Sequence, residues 1–186
     1  MNKDQEEFES AVKKMLNIVG EDIHRDGLKG TPKRVYKSFM DMTSGYKEDP
    51  ILALKSAMFK TCNSEMILIK NIDFYSLCEH HILPIIGQVH VGYIPKNKIV
   101  GLSKIPRVVD ILTRRLQIQE KLTEDIVNTI NDTVDPKGVG VIIQARHLCM
   151  EIRGVKKVAN TTTSSLRGIF LDSLIKKEFY SLINSK

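Results

Sequence analysis

The sequence has no tryptophan and only three cysteines among its 186 residues. Three cysteines are too few, and an odd number, for a disulfide framework. In a reducing compartment such cysteines favour metal-binding or catalytic roles. Without tryptophan or a solid run of Lys and Arg, the sequence lacks the usual basic and aromatic surface of a nucleic-acid-binding protein. We therefore expect neither a disulfide-stabilised fold nor a nucleic-acid partner.

Long apolar runs are also missing. ILPII, residues 82–86, is typical of the longest runs and is far too short to span a bilayer. The chain begins MNKDQEEFES, which is acidic where a secretory signal needs a basic start followed by an apolar core. These features predict a cytoplasmic protein that does not associate with membranes.

The composition is that of an ordinary globular protein, with 42% hydrophobic and 27% charged residues. A chain of this length can fill one core, and one structural unit is the default expectation. The net charge of +6 favours an acidic partner. Charge alone does not choose between nucleic acid, a membrane surface and a small polyphosphate.

Apolar residues recur at helical spacing near the start of the chain, and the pattern later changes to strands. The first 46 residues are predicted to form a helical N-terminal segment, and residues 47–186 an α+β domain with an antiparallel sheet. Strands are predicted at 66–77, 87–95, 138–152 and 164–170, and helices at 31–42, 101–116, 120–134 and 173–183.

Ligand-type side chains concentrate in LCEHHILP, residues 77–84. Cys78 and His81 have the spacing at which two side chains of a tight turn reach one metal ion. A third ligand is available in RHLCM, where Cys149 and His147 are predicted to share one face of a strand. The sequence thus predicts a Cys78, His81 and Cys149 metal site with His147 beside it.

Thiolate and imidazole ligands together suit zinc best. Three protein ligands leave a position for water, whose pKa zinc lowers to about 7. Two alternatives stay open on the residues alone. His80 could supply a fourth ligand and make the site structural, or these cysteines and histidines could be ordinary buried side chains.

Cationic and polar residues follow in GLSKIPR and QIQEKLT. Ser103 is a suitable N-cap, and Lys104 and Arg107 lie on one helical face, where a helix N-terminus attracts an anion. Two residues in QIQEKLT, where the next helix is predicted to begin, could bind a guanine base, and the alternative on the residues alone is that they lie on a solvent-exposed helix surface. The Glu120 carboxylate can accept two N–H bonds from the base, and Gln119 could contact its carbonyl edge.

Several motifs together closely resemble the GTP cyclohydrolase I family. They are CEHH, GQVHVGYIP, GLSK followed by Arg107, RRLQIQEKLT, HLCM, and RG followed by TTTSSLRG. They occur in family-like order and separation over about residues 31–175. The resemblance implies the tunnelling fold, an antiparallel sheet with two helices between its middle strands. It also implies a toroidal homodecamer whose sites lie between subunits.

The resemblance further implies a reaction and a role for each residue. GTP would be hydrolysed at C8 with release of formate, and the product would be 7,8-dihydroneopterin triphosphate, in the first step of pterin and tetrahydrofolate synthesis. Zn²⁺ would be the cofactor. His147 would protonate N7 of the base, while His80 and Ser103 would transfer protons around the sugar. Gln119 and Glu120 would hold guanine. The triphosphate would be held by Lys104, Arg107 and Arg153, together with Arg34 from a neighbouring subunit.

Two rival interpretations rank lower. A zinc nucleobase deaminase would need the H-x-E and P-C-x-x-C signature, which is absent. A zinc-stabilised nucleic-acid-binding module would need a fourth ligand and a clustered basic face, and its binding would depend steeply on salt.

Overall fold

A computed structural model of the chain describes residues 3–62 and 65–185. The chain divides into two compact units between Thr43 and Ser44. The boundary predicted from the sequence, after residue 46, lies a few residues later.

From residue 3 onward, the N-terminal unit has two helices, α1 (Lys3–Ile18) and α2 (Thr31–Met42). The ring of Phe8 on α1 packs against Tyr36 and Phe39 on α2, with centroids 5.5 Å apart in both pairs. Pro32 lies in the first turn of α2, where its missing N–H costs no helical hydrogen bond. Aromatic packing therefore joins the two helices of this unit.

Within residues 44–62 and 65–185, the second unit has seven strands, five helices and two short 3₁₀ segments. The strands are β1 (Met58–Lys60), β2 (Ile67–Cys78), β3 (Pro84–Ile94), β4 (Lys98–Val100), β5 (Leu116–Gln117), β6 (Gly138–His147) and β7 (Asn160–Gly168). The helices are α3 (Pro50–Lys55), α4 (Lys104–Thr113), α5 (Gln119–Val134), α6 (Leu148–Glu151) and α7 (Ser173–Asn184), and the 3₁₀ segments are Ser44–Lys47 and Ile169–Leu171. No helix in the described part of the chain is long and apolar enough to cross a membrane.

The main sheet has the strand order β5-β2-β3-β6-β7. The four long strands pair antiparallel, whereas the two residues of β5 pair parallel with the end of β2. Helices α4 and α5 lie in the connection between the middle strands β3 and β6. This α+β arrangement confirms the predicted antiparallel sheet with two helices between its middle strands. The small elements α3, β1, β4 and β5 were not predicted.

Alternating apolar residues of the strands build a core on each face of the sheet. On one face, Val89 and Val91 of β3 belong to the main cluster together with residues of α4 and α5, such as Val108 and Ile126. On the other, Phe179 of α7 packs in a smaller cluster with Phe170 and strand residues. Because α5 is packed along its apolar face, its N-terminus is held at the same end of the sheet as the end of β6.

Candidate functional site

The three predicted ligands come together at one end of the main sheet. The ligand atoms of Cys78, His81 and Cys149 all lie within 4.8 Å of one another. Cys78 is the last residue of β2, and His81 belongs to the turn that leads into β3. Cys149 follows β6, and β6 pairs with β3 on the side of β3 that faces away from β2. Neighbouring strand ends thus supply a thiol, an imidazole and a second thiol to one point.

The turn after β2 is held by its own backbone. The N–H of Cys78 donates to the carbonyl of Leu83, and the N–H of Ile82 donates to that of Cys78, both at 2.8 Å. Ile82 adopts a left-handed conformation with φ of 54°, which is rare for a β-branched residue. Strain of this kind costs about 1–3 kcal/mol and tends to collect at functional sites. The tight turn brings Nδ1 of His81 to 4.0 Å from the Cys78 sulfur.

The predicted position of Cys149 on a strand is wrong. Strand β6 ends at His147, and Cys149 lies in the short helix α6. The argument that residues i and i+2 share one strand face therefore does not apply. The chain turns at the end of β6, and this turn carries the half-buried Cys149 back toward Cys78.

The electrostatics of the cluster suit a cation. Burial raises the pKa of the Cys149 thiol, and the neighbouring Cys78 sulfur raises it further, while the positive charge of Arg153 acts in the opposite direction. Two thiolates this close repel each other, and a divalent cation between them removes that cost. The donor set of two sulfur atoms and one imidazole therefore fits a soft or borderline metal ion such as zinc.

His147, at the end of β6, lies beside the cluster in sequence and is half-buried. Its Nε2 is 2.7 Å from Oε1 of Gln119, the first residue of α5. Burial lowers the pKa of His147, and the carboxylates of Glu120 and Glu151 act against that shift. His147 is therefore held by one specific side chain and lies within the field of Glu120.

Gln119 is almost fully buried, with 2% of its surface exposed. Its amide nitrogen lies within hydrogen-bonding distance of the carbonyls of Ile143 and Thr161 and of the Thr163 hydroxyl, at 3.0–3.2 Å. The side chain thus has no free donor for the carbonyl edge of a guanine base, which its predicted role required. Glu120, by contrast, is exposed in the first turn of α5.

The remaining predicted residues lie on the surface of their units. His80 has 62% of its side chain exposed, and its Nε2 lies 3.8 Å from a Glu79 carboxylate oxygen. His80 is also close to the metal cluster, since its Nδ1 lies 4.0 Å from the Cys78 sulfur. Ser103 is the N-cap position of α4, although its hydroxyl makes no capping bond. Arg34 is exposed on α2 of the N-terminal unit.

The cations at the start of α4 differ in their surroundings. Lys104 is the first residue of the helix and is half-buried. Arg107 forms ion pairs with Glu48 at 2.5 Å and with Asp110 at 3.4 Å. Arg153 is exposed in the segment that follows α6. Any anion that Arg107 binds must therefore compete with two carboxylates.

Sequence comparison places these residues in a known family. The sequence profile of GTP cyclohydrolase I matches residues 8–184. The GTP cyclohydrolase 1 of Campylobacter concisus is 59% identical over 183 residues, covering 97% of this chain and 96% of that relative. The chain belongs to the GTP cyclohydrolase I family.

Other GTP cyclohydrolase I sequences agree. The GTP cyclohydrolase 1 of Campylobacter curvus is 58% identical with the same coverage. That of Parabacteroides distasonis is 53% identical over 92% of this chain and 88% of its own length. Among solved structures, an archaeosine synthase QueF-like protein in the apo form has a TM-score of 0.42 at 18% identity, covering 57% of this chain and 96% of that one. All the predicted site residues, from Arg34 to Arg153, lie inside the range that the GTP cyclohydrolase I profile matches.

Proposed function

We propose that this chain catalyses the GTP cyclohydrolase I reaction, in which GTP loses C8 as formate and becomes 7,8-dihydroneopterin triphosphate. The observation that carries the proposal is the meeting of Cys78, His81 and Cys149, with His147 two residues before Cys149 and within the field of the Glu120 carboxylate. That arrangement combines a metal-binding set with an imidazole for proton transfer and a carboxylate that can hold guanine. Family membership agrees with the same reaction.

Zinc is the metal we propose, held by Cys78, His81 and Cys149. The two sulfur atoms and one imidazole match its preferred ligands, and three protein ligands are typical of catalytic rather than structural zinc. When bound, zinc supplies Lewis acidity and activates water as a nucleophile near neutral pH. His80 lies outside the set of ligand atoms within 4.8 Å of one another, and we assign its largely exposed side chain to the substrate instead of the metal.

Three side chains of this chain move protons in the proposed reaction. His147 donates a proton to N7 of the base, which makes C8 electrophilic, and imidazole suits such work near neutral pH. A first hydrolysis opens the imidazole ring at C8 by breaking one of its two C–N bonds, and a second breaks the other and releases C8 as formate. His80 and Ser103 serve the proton transfers around the ribose that precede ring closure. Both are exposed, as groups that act on a bound sugar must be.

Substrate recognition divides between a carboxylate and several cations. Glu120 accepts the guanine ring N–H and the exocyclic amine, since one carboxylate can accept both bonds. Lys104, Arg107 and Arg153 bind the triphosphate. We assign Arg34 to the same anion, from a neighbouring subunit. The triphosphate, with several negative charges, replaces Glu48 and Asp110 as the partner of Arg107.

We propose that the chain assembles into a toroidal decamer. Strand β7 is an edge of the main sheet, and on the other edge only the last two residues of β2 are covered by β5. Unpaired strand edges readily add a strand from another chain. The segment after α6 also exposes apolar side chains, among them Val155 and Val158 at 63% and 73%. Both features suit a surface that is buried against further copies.

The deciding experiment incubates the purified, zinc-replete protein with GTP and measures formate together with the oxidised, fluorescent pterin. We expect both products, and we expect chelation to remove both. Restoring zinc should restore both. If a folded oligomer with zinc bound yields neither product, the proposed function is wrong.

A further inference from the structure

We propose that Thr163 and Thr123 are positioning residues that act through Gln119 to hold the ring of His147 in one tautomer and one orientation. The inference rests on the proposed function, because it deepens the role of His147 there. It gives Gln119 a positioning role in place of guanine recognition, and it adds two hydroxyl groups on β7 and α5 that lie outside the sequence-predicted site.

The orientation of the Gln119 amide is set by its surroundings. The carbonyl oxygens of Ile143 and Thr161, 3.2 and 3.0 Å away, can only accept hydrogen bonds. The NH₂ group must therefore face them, and Oε1 must face His147. An amide oxygen only accepts, so Nε2 of His147 must be the donor across the 2.7 Å contact.

The tautomer of the neutral His147 ring follows from this contact. With its proton on Nε2, the neutral ring has an unprotonated Nδ1. Nδ1 is then the nitrogen that meets a bound ligand, and it donates to N7 of the base only after it has taken up a proton, when both ring nitrogens are donors. If the ring were free to rotate, Nε2 would not stay on Gln119 and Nδ1 would not stay toward the ligand. Proton transfer would then suffer, because it depends on holding the donor within hydrogen-bonding reach of its target.

The hydroxyl groups of the two threonines extend this hydrogen-bond network, and the donor in each of their bonds can be assigned. The Thr123 hydroxyl donates its single proton to the backbone carbonyl of Gln119, at 2.8 Å. Thr163 must therefore donate to Thr123 across their 2.7 Å contact. The oxygen of Thr163 then accepts from the Gln119 amide, at 3.1 Å, and shares the two amide protons with the carbonyls of Ile143 and Thr161. Each hydroxyl thus donates one hydrogen bond and accepts one.

Burial makes this network sensitive to its members. Gln119 and Thr123 are each 2% exposed. Water is therefore poorly placed to replace a lost partner, and an unsatisfied buried polar group is costly. The network also ties β7 and α5 to the end of β6, the three elements whose relative position sets the direction of the His147 ring.

The test compares Thr163→Val, which keeps the shape but removes the hydroxyl, with Thr163→Ser, which keeps the hydroxyl. Both are made in the full-length, zinc-replete oligomer, and kcat and KM for GTP are measured by formate and pterin release. We expect Thr163→Val to lower kcat by about tenfold, the scale of one lost hydrogen bond, with KM changed by less than about twofold. Thr163→Ser should stay near the wild-type kcat.

Three further measurements distinguish a positioning role from a role in substrate binding or in folding. Zinc content and oligomer size should be unchanged in Thr163→Val. Its preference for GTP over inosine triphosphate, which lacks the exocyclic amine, should also be unchanged, whereas Glu120→Ala should lose that preference. If Thr163→Val does not fold, Thr123→Val and Thr123→Ser are judged by the same criteria.

The inference is overturned if Thr163→Val keeps the wild-type kcat, if Thr163→Ser loses as much as Thr163→Val, or if the loss comes with loss of zinc. A wild-type protein that releases neither formate nor pterin overturns the proposed function, and the inference with it. An active wild type with an unaffected Thr163→Val overturns the inference alone.

Discussion

At the scale of single residues, Cys149 is the proposed zinc ligand that the end of β6 brings to the turn after β2. We expect Cys149→Ser to lose both zinc and turnover, since a serine hydroxyl is a far weaker zinc ligand than a thiolate. The measurement is zinc per chain after gel filtration, with formate release on the same sample.

The chain offers a matched control for this substitution in its exposed cysteine. Cys62 lies outside the metal cluster. Cys62→Ser should therefore keep its zinc and its rate. Zinc bound to Cys149→Ser at the wild-type level would show that the ligand assignment is mistaken.

Glu120 makes a second prediction at this scale. Its carboxylate is exposed at the start of α5 and acts on His147 by its charge. Glu120→Ala should raise KM for GTP by about 10- to 100-fold, the scale of one or two charge-assisted hydrogen bonds, while zinc stays bound. Lys121→Ala, on the adjacent exposed position, should keep the wild-type KM. Unchanged KM and unchanged guanine preference in Glu120→Ala would remove Glu120 from the site.

At the scale of elements, a bulge in β2 links strand pairing to a buried histidine. The register of β2 against β3 shifts between Ile69 and Ile72, and Asn71 takes a left-handed φ of 58° there. The Asn71 N–H donates to Nδ1 of His90, at 3.2 Å. The proton of the ring is thus on Nε2, which is buried and has no hydrogen-bond partner within residues 3–62 and 65–185.

This arrangement predicts that stability falls in acid. Burial lowers the pKa of His90, and the nearby Lys70 lowers it further. Below the ordinary imidazole pKa of about 6.5, the unfolded chain therefore binds a proton that the folded chain does not. The contribution of His90 to the free energy of unfolding is therefore complete above about pH 6.5. As the pH falls from there toward the pKa of His90 in the folded state, this contribution decreases by at most about 1.4 kcal/mol per pH unit.

His90→Asn tests this origin, because the Asn Oδ1 can accept the Asn71 N–H but does not titrate. Urea midpoints measured between pH 5.5 and 8 at one protein concentration should fall less steeply in acid for His90→Asn than for the wild type. His24→Asn, at an exposed position, should follow the wild-type curve. Parallel curves for wild type and His90→Asn would exclude His90 as the source.

The elements also show which parts of the structure could be predicted from local sequence patterns. Apolar residues at helical spacing predicted α1 and α2, and the alternation in residues 87–95 predicted β3, because both patterns reflect which face is buried. The spacing of Cys78 and His81 predicted that both side chains lie in one turn. This prediction was possible because the two residues are close together in the sequence. The helical turn at Cys149 and the burial of Gln119 were not predicted. Both depend on the packing of β6, α5 and β7, which no local pattern records.

At the scale of the whole molecule, the unpaired strand edges and the proposed role of Arg34 lead to the same expectation. A site that takes Arg34 from one chain and Cys149 from another exists only in an assembly. The wild type should therefore have about ten times the chain mass in solution, and dilution that dissociates the assembly should abolish turnover. A monomer with full activity would contradict both the assembly and the shared site.

Mixing two inactive variants tests directly whether the site is shared. Arg34→Ala removes a triphosphate ligand, and Cys149→Ser removes a zinc ligand, so each variant alone should have little or no activity. If the two residues act from different chains, a hybrid assembly contains sites that take Arg34 from the Cys149→Ser chain and Cys149 from the Arg34→Ala chain. Mixed at equal amounts, dissociated and reassembled, the pair should regain about a quarter of the wild-type rate. If both residues act from the same chain, the mixture stays as inactive as its components, because every site then lacks one of them.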